Sequence, residues 1–64
     1  MRRTDFWERL NSVLGEPYAE SWSRDHVLAE LDSQTVAEAF DNGWDTKAVW
    51  LAVHRDLELP FNLR

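Results

Sequence analysis

Serine, aspartate and histidine, the residue types of a nucleophilic triad, occur together in the segment 21–26. The segment holds Ser21, Ser23, Asp25 and His26. A triad needs a serine activated by a histidine that is itself oriented by a carboxylate. Adjacent positions on a helix do not face each other, and no Gly-x-Ser-x-Gly turn accompanies these residues. The pattern therefore predicts no nucleophilic catalysis.

Two histidine–glutamate pairs could offer metal ligands, because each pair lies four residues apart. They are His26 with Glu30 and His54 with Glu58. Two ligands do not complete a zinc site, and the chain has no cysteine. We expect His26 to pack against Trp22 with its ring nitrogen bonded to a neighbour. A bundle of this size also leaves little room for a ~300 Å³ ligand pocket. We predict no metal, no cofactor and no enzymatic activity.

Aromatic residues must supply the core that positions all other side chains. A 64-residue domain buries only ~60% of the surface of its unfolded chain, so without disulfides it needs large apolar side chains. Each buried aromatic ring removes ~150–250 Å² from water. The predicted core aromatics are Phe6, Trp7, Tyr18, Trp22, Phe40, Trp44, Trp50 and Phe61.

The first helix is predicted over residues 5–14. Thr4 is its predicted N-cap, and Gly15 can adopt the left-handed conformation that ends a helix. Its apolar residues recur at helical spacing and predict one buried face, with Trp7 at the edge. They are Phe6, Leu10, Val13 and Leu14.

The second helix is predicted over residues 17–31, with Pro17 suited to its first turn. Its apolar residues fall on two nearly opposite faces. One face carries Tyr18, Ala19, Trp22, His26 and Ala29, and the other carries Val27, Leu28 and Leu31. The helix is therefore either buried on two sides or kinked near Ser23.

Two further helices are predicted over residues 36–42 and 46–57. Thr35 and Glu38 have the spacing of a capping box, in which each side chain bonds the other residue's backbone N–H. Asp45 is the predicted N-cap of the last helix.

The predicted fold class is all-α, because no segment alternates apolar and polar residues over a length that would predict a sheet. We expect a single domain over residues 1–64, built as a compact four-helix orthogonal bundle with one short helix. Pro60 cannot continue a helix, so residues 58–64 are predicted to form an extended tail.

The charges are unevenly distributed along the chain. Twelve acidic residues outnumber seven basic ones, and eight of the acidic residues lie in the segment 16–45, where the only basic residue is Arg24. The net charge of −5 repels phosphate and disfavours a nucleic-acid partner. No stretch approaches the ~20 apolar residues of a membrane span, and no apolar signal-peptide core follows the first basic residues. We expect a cytoplasmic chain.

The order of these signals resembles an actinobacterial family catalogued as domain of unknown function 3046. The resemblance is carried by Phe6, Gly15, Tyr18-Ala19, Ser21, Asp25-His26-Val27-Leu28, Leu31, Thr35, Glu38-Ala39, Gly43 and Val49-Trp50. It implies a small cytoplasmic helical protein, often encoded near the recombinase and its regulator, and hence a link to DNA recombination or repair. In that family a glycine-rich, basic turn is expected at residues 32–34, and a cysteine is common at the position of His54.

Two functions from different classes fit a helical domain without catalytic residues. We favour contact with an unidentified protein partner, with the domain monomeric or weakly homodimeric. The predicted partner surface consists of Lys47, Leu51, His54, Arg55 and Phe61. The alternative is a weak helix-turn-helix DNA-binding protein that uses the helix 46–57, because Ala39, Gly43 and Val49 match the spacing of that motif.

The C-terminal residues allow two interpretations of the tail. Segment 56–61 is similar to the short hydrophobic peptides that dock on the bacterial sliding clamp, although the leading glutamine is absent. We expect instead that Leu59, Phe61 and Leu63 fold back over the last helix and cover Leu51, which would otherwise be exposed.

Overall fold

The computed structural model describes residues 1–60, which form four α-helices and one small β-sheet. The helices are α1 (Arg3–Leu14), α2 (Tyr18–Asp25), α3 (Val36–Asp41) and α4 (Thr46–Asp56). Between α2 and α3 lie strand β1 (Val27–Leu28), a 3₁₀ turn (Ala29–Leu31) and strand β2 (Gln34–Thr35). None of the helices in residues 1–60 has the length and apolar character needed to cross a membrane.

The N-terminal caps of α3 and α4 are as predicted. The backbone N–H of Glu38 donates to the Thr35 hydroxyl at 3.1 Å, and the N–H of Thr35 donates to the Glu38 carboxylate at 2.9 Å. The Asp45 carboxylate accepts hydrogen bonds from the backbone N–H groups of Lys47 and Ala48. Each cap satisfies donors that the first helical turn leaves without a partner.

The predicted N-cap of α1 is wrong, because the helix already begins at Arg3 and Thr4 lies inside it. The Asp5 carboxylate instead accepts from the backbone N–H of Arg2 at 3.3 Å. The helix ends where expected: Gly15 donates to the Asn11 carbonyl at 2.7 Å and has a φ of 84°. Its ψ of 149° is extended, however, so the chain leaves α1 without forming a left-handed turn.

The second predicted helix does not extend to residue 31. Helix α2 ends at Asp25, because His26 has extended backbone angles, and it is neither buried on two sides nor kinked within its length. Leu28 and Leu31 reach the core from non-helical backbone and are 1% and 0% exposed. The two opposite apolar faces in the sequence thus reflect two structural segments, of which only the first is helical.

The prediction of an all-α fold is confirmed in part, because four helices form most of residues 1–60 but two short strands accompany them. Val27 pairs with Thr35 and Leu28 with Gln34 in an antiparallel register. Asp32 and Ser33 reverse the chain between the strands with φ values of 55° and 62°, in the left-handed region that favours glycine. This is the turn that the family resemblance predicts to be glycine-rich.

A single core of buried side chains joins α1, α2, α3 and α4. Its members are Phe6, Leu10, Ala19, Trp22, Leu28, Leu31, Val36, Ala39, Phe40, Val49, Trp50, Ala52 and Val53. Phe6 lies at its centre, where its ring meets those of Trp7, Phe40 and Trp50 edge-on at centroid distances of 5.3, 5.1 and 5.9 Å. Such edge-to-face pairs add to the energy of burial.

The predicted aromatic core is correct for most of its members. Trp7 and Trp44 are half-buried and pack against the core, whereas Tyr18 is 58% exposed and was wrongly assigned to it. Phe61 lies outside the described residues. The Nε1 atom of Trp50 is buried and has no hydrogen-bond partner among residues 1–60.

The C-terminal ends of α3 and α4 have the same hydrogen-bond pattern. After α3, Gly43 donates to the Phe40 carbonyl and Trp44 donates to the Ala39 carbonyl, which is a Schellman motif. After α4, the N–H groups of residues 58 and 59 make the equivalent bonds to the carbonyls of residues 55 and 54. The residue with left-handed backbone is Gly43 in the first motif and Glu58 in the second. Glu58 has a φ of 52°.

The start of the tail lies against the rest of the chain. Leu59 is partly buried against the core, and a ring nitrogen of His54 donates to the Pro60 carbonyl at 3.0 Å. The predicted positions of Phe61 and Leu63 over Leu51 lie outside the described residues.

Truncation of a core tryptophan should unfold most of the protein. Trp22→Ala or Trp50→Ala removes a side chain that is 7% or 1% exposed, and we expect each to lower the free energy of unfolding by about 3–5 kcal/mol. Tyr18→Ala is the matched aromatic control and should change it by less than about 1 kcal/mol. Urea denaturation followed by circular dichroism measures all three. Equal losses of unfolding free energy in Tyr18→Ala and Trp50→Ala would contradict the assignment of Trp50 to the core and Tyr18 to the surface.

Replacement of Glu58 by glycine should stabilise the protein. The substitution relieves the left-handed backbone at the end of α4, and we expect a gain of about 1 kcal/mol in unfolding free energy. Glu58→Ala removes the same charge but keeps a Cβ atom, so it separates the backbone effect from the electrostatic one. A gain in the alanine variant equal to that in the glycine variant would show that charge, and not φ, is responsible.

Candidate functional site

The serine, aspartate and histidine side chains of segment 21–26 do not converge on a catalytic arrangement. Ser23 is buried, and its hydroxyl donates to the Glu20 carbonyl at 2.7 Å. The Ser21 hydroxyl donates to the Asp25 carboxylate at 3.3 Å. His26, which would have to activate one of these serines, instead contacts Asp56 of α4. These groups support the local backbone and leave no nucleophile–base pair.

His26 is a structural residue that joins the end of α2 to α4. Its ring stacks on Trp22 with a centroid distance of 4.9 Å and an interplanar angle of 15°. Its Nε2 atom lies 2.9 Å from the Asp56 carboxylate. Both parts of the prediction, packing against Trp22 and a bonded ring nitrogen, are confirmed. A second contact, from Arg55 to Glu30 at 3.2 Å, connects α4 to the 3₁₀ turn beside it.

The histidine–glutamate pairs do not gather further metal ligands in the described part of the chain. Within residues 1–60, no group of three or more His, Cys, Asp or Glu side chains is placed to hold an ion. His54 contacts the ring of Trp50 edge-on and donates to the Pro60 carbonyl. Its described partners are therefore an aromatic ring and a backbone oxygen of the same chain.

The structure describes four of the five residues of the surface predicted on the last helix, and two of these four have partners within the chain. His54 and Arg55 already bond to Pro60 and Glu30, and Phe61 lies outside the described residues. The other two predicted residues are the exposed Lys47 and the half-buried Leu51. These two line a hollow of about 410 Å³, together with Met1, Arg9 and Trp50. Arg9 lies with its guanidinium 6.0 Å from the centroid of the Trp50 ring.

A larger groove, which was not predicted, lies on another side of the molecule. The groove has a volume of about 510 Å³. It is lined by Trp7, Asn11, Glu16, Pro17, Glu20, Ser23, Arg24 and Ala37. The only sequence signal for it is Trp7, which falls at the edge of the apolar stripe of α1 and is therefore not fully covered by the core.

The groove has an apolar surface and polar edges. The polar side chains at the edges bond to one another. Trp7 from α1 and Ala37 from α3 contribute apolar surface, and Trp7 is held in place by its edge-on contact with Phe6. At the edges, the Asn11 side-chain amide donates to the Glu16 carboxylate at 2.8 Å. The guanidinium of the neighbouring Arg24 forms a salt bridge with Glu20, four residues earlier on α2.

Comparison with known proteins is consistent with the sequence resemblance. The family model described as "Protein of unknown function (DUF3046)" matches residues 1–62. The chain belongs to this family. No curated protein and no solved structure matches the chain. The description of the DUF3046 family assigns no activity, so the functional argument depends on the residues of the chain itself.

The pairing of His26 with Asp56 should make a small contribution to stability. The two side chains are 43% and 33% exposed, so solvent screens their interaction. In a double-mutant cycle with His26→Gln and Asp56→Asn, we expect a coupling free energy below about 1 kcal/mol, because the cycle cancels the loss of stacking on Trp22. Urea denaturation at neutral pH provides the measurement. A coupling of several kcal/mol would contradict the screened contact and indicate a buried ion pair.

Proposed function

We propose that this protein is a non-catalytic protein-contact domain that acts in the cytoplasm, and that the groove beside Trp7 is its contact site. The observation that carries the proposal is the half-buried Trp7 in a 510 Å³ groove. Tryptophan is enriched among the residues that dominate binding energy at protein interfaces. The absence of cysteine is compatible with a reducing compartment.

The polar edges of the groove support a protein partner over a small molecule. Small-molecule sites orient their ligand through a few converging donors and acceptors. Here Asn11 bonds to Glu16, and Ser23 donates to the Glu20 carbonyl. Because these groups are bonded to each other, the edge resembles the polar rim that surrounds the apolar centre of a protein interface.

The hollow around Lys47 and Leu51 is the second candidate for contact. It is smaller, at about 410 Å³, and His54 and Arg55 of the predicted partner surface bond to other parts of the chain. We therefore rank it below the groove.

DNA binding through α4 remains the alternative function. The observation in its favour is the arrangement of α3 and α4, which contact each other and are joined by a short turn that contains Gly43. Against it, Asp45 caps the end of α4 that would approach the DNA, and its carboxylate would face phosphate.

A matched pair of variants tests the proposed contact site. Ala37→Gln places a larger side chain in the groove, whereas Ala48→Gln makes the same change at an exposed position of α4. Immobilised protein is exposed to a lysate of the native host, and retained proteins are identified by mass spectrometry. We expect a partner that is retained by the unchanged chain and by Ala48→Gln but lost with Ala37→Gln, and that rebinds when purified. Retention that is unaffected by Ala37→Gln would overturn the assignment of the groove.

The alternative function, DNA binding, is tested by a separate experiment. A helix-turn-helix that uses Lys47 must bind duplex DNA with an affinity that falls steeply as salt rises, because each neutralised phosphate releases counterions. We expect no binding at physiological salt in fluorescence anisotropy with a labelled duplex pool. A salt-dependent complex that is weakened by Lys47→Glu, but not by Ala37→Gln, would replace protein contact with DNA binding.

A further inference from the structure

The groove beside Trp7 continues into a second depression along α2. The second depression has a volume of about 390 Å³ and shares Pro17, Glu20 and Arg24 with the groove. It adds Ser21 and Asp25 to the surface. The two together form one extended surface, which suits a segment of polypeptide better than a single side chain.

This extended surface carries an excess of negative charge. Its ionisable side chains are Glu16, Glu20, Asp25 and Arg24, and only Arg24 is basic. Arg24 is bound to Glu20. Glu16 and Asp25 accept hydrogen bonds only from the neutral side chains of Asn11 and Ser21 among their described contacts. Two carboxylates therefore remain without a cationic partner in the described residues, Glu16 in the groove and Asp25 in the second depression.

The apolar part of the surface complements this charge. The Trp7 ring, together with Pro17 and Ala37, offers apolar surface to an inserted side chain. An aromatic face also attracts ammonium and guanidinium groups, with a strength that grows as water is excluded. A partner that matches both features carries apolar side chains on one face and lysine or arginine beside them.

We infer, on the basis of the proposed contact function, that the groove binds a cationic amphipathic segment of a partner protein. The apolar face of the segment packs on Trp7, Pro17 and Ala37, and its basic side chains pair with Glu16 and Asp25. Laying an amphipathic helix in an apolar groove is a recurrent mode of peptide recognition. An anionic segment would instead meet like charge.

Synthetic peptides test this inference on the full chain. The probe is a peptide of about 14 residues, ~21 Å long as a helix, with leucines at helical spacing and lysines beside them. One control replaces every lysine by glutamate, and the other replaces every leucine by serine. Binding is followed by NMR on ¹⁵N-labelled protein, with the indole N–H of Trp7 and the side-chain amide of Asn11 as reporters.

We expect the lysine–leucine peptide to shift both reporters and each control peptide to bind at least about tenfold more weakly. Glu16→Gln keeps an acceptor for Asn11 while removing the charge, and together with Asp25→Asn it should weaken binding about three- to tenfold. Asp41→Asn removes a charge outside the surface and should have no effect. Ala37→Gln should abolish the shifts, and Ala48→Gln should not.

Several results would overturn the inference. Equal binding of the glutamate peptide would exclude charge complementarity, and shifts centred on Lys47 and Leu51 would move the site to the other hollow. A concentration-dependent dimer in sedimentation that is lost in Ala37→Gln would identify a second copy of this chain as the occupant. If Ala37→Gln abolishes capture from the lysate but the lysine–leucine peptide neither binds nor displaces the captured partner, the contact function stands and the cationic partner is excluded.

Discussion

The edge-on packing of three aromatic rings around Phe6 is the contact on which the rest of the domain depends. Phe6 is fully buried and meets Trp7, Phe40 and Trp50, so one ring brings together α1, α3 and α4. The groove and the hollow on α4 also depend on it, because Trp7 lines the groove and Trp50 lines the hollow. In a chain without disulfides, this cluster organises the core and both candidate contact surfaces at once.

Around this apolar centre, polar side chains set how the elements are positioned and where they end. His26 and Glu30 follow α2 in the chain and reach Asp56 and Arg55 at the far end of α4. Histidine, aspartate and glutamate are residue types that also act in catalysis, and here they hold α4 against the segment that follows α2.

The aromatic core and the caps of α3 and α4 could be predicted from the sequence, whereas the cap of α1, the small sheet and the groove could not. The caps of α3 and α4 require only a few adjacent residues. Leu28 and Leu31, by contrast, fit a helical pattern while lying in extended and 3₁₀ backbone, and Ser33 is left-handed without being glycine. The groove requires Trp7 of α1 and Ala37 of α3 to lie close together, although they are thirty residues apart in the sequence. No local sequence pattern predicts that these two residues line the same groove.

The indole N–H of Trp50, which has no hydrogen-bond partner among residues 1–60, gives this core an internal reporter of its own opening. In most buried amides, protection against hydrogen exchange combines exclusion of water with a hydrogen bond that must break. At Trp50 only exclusion of water acts, because the atom is buried and has no partner among the described residues. Its exchange rate therefore follows how often solvent enters between α1 and α4, from local fluctuations to complete unfolding.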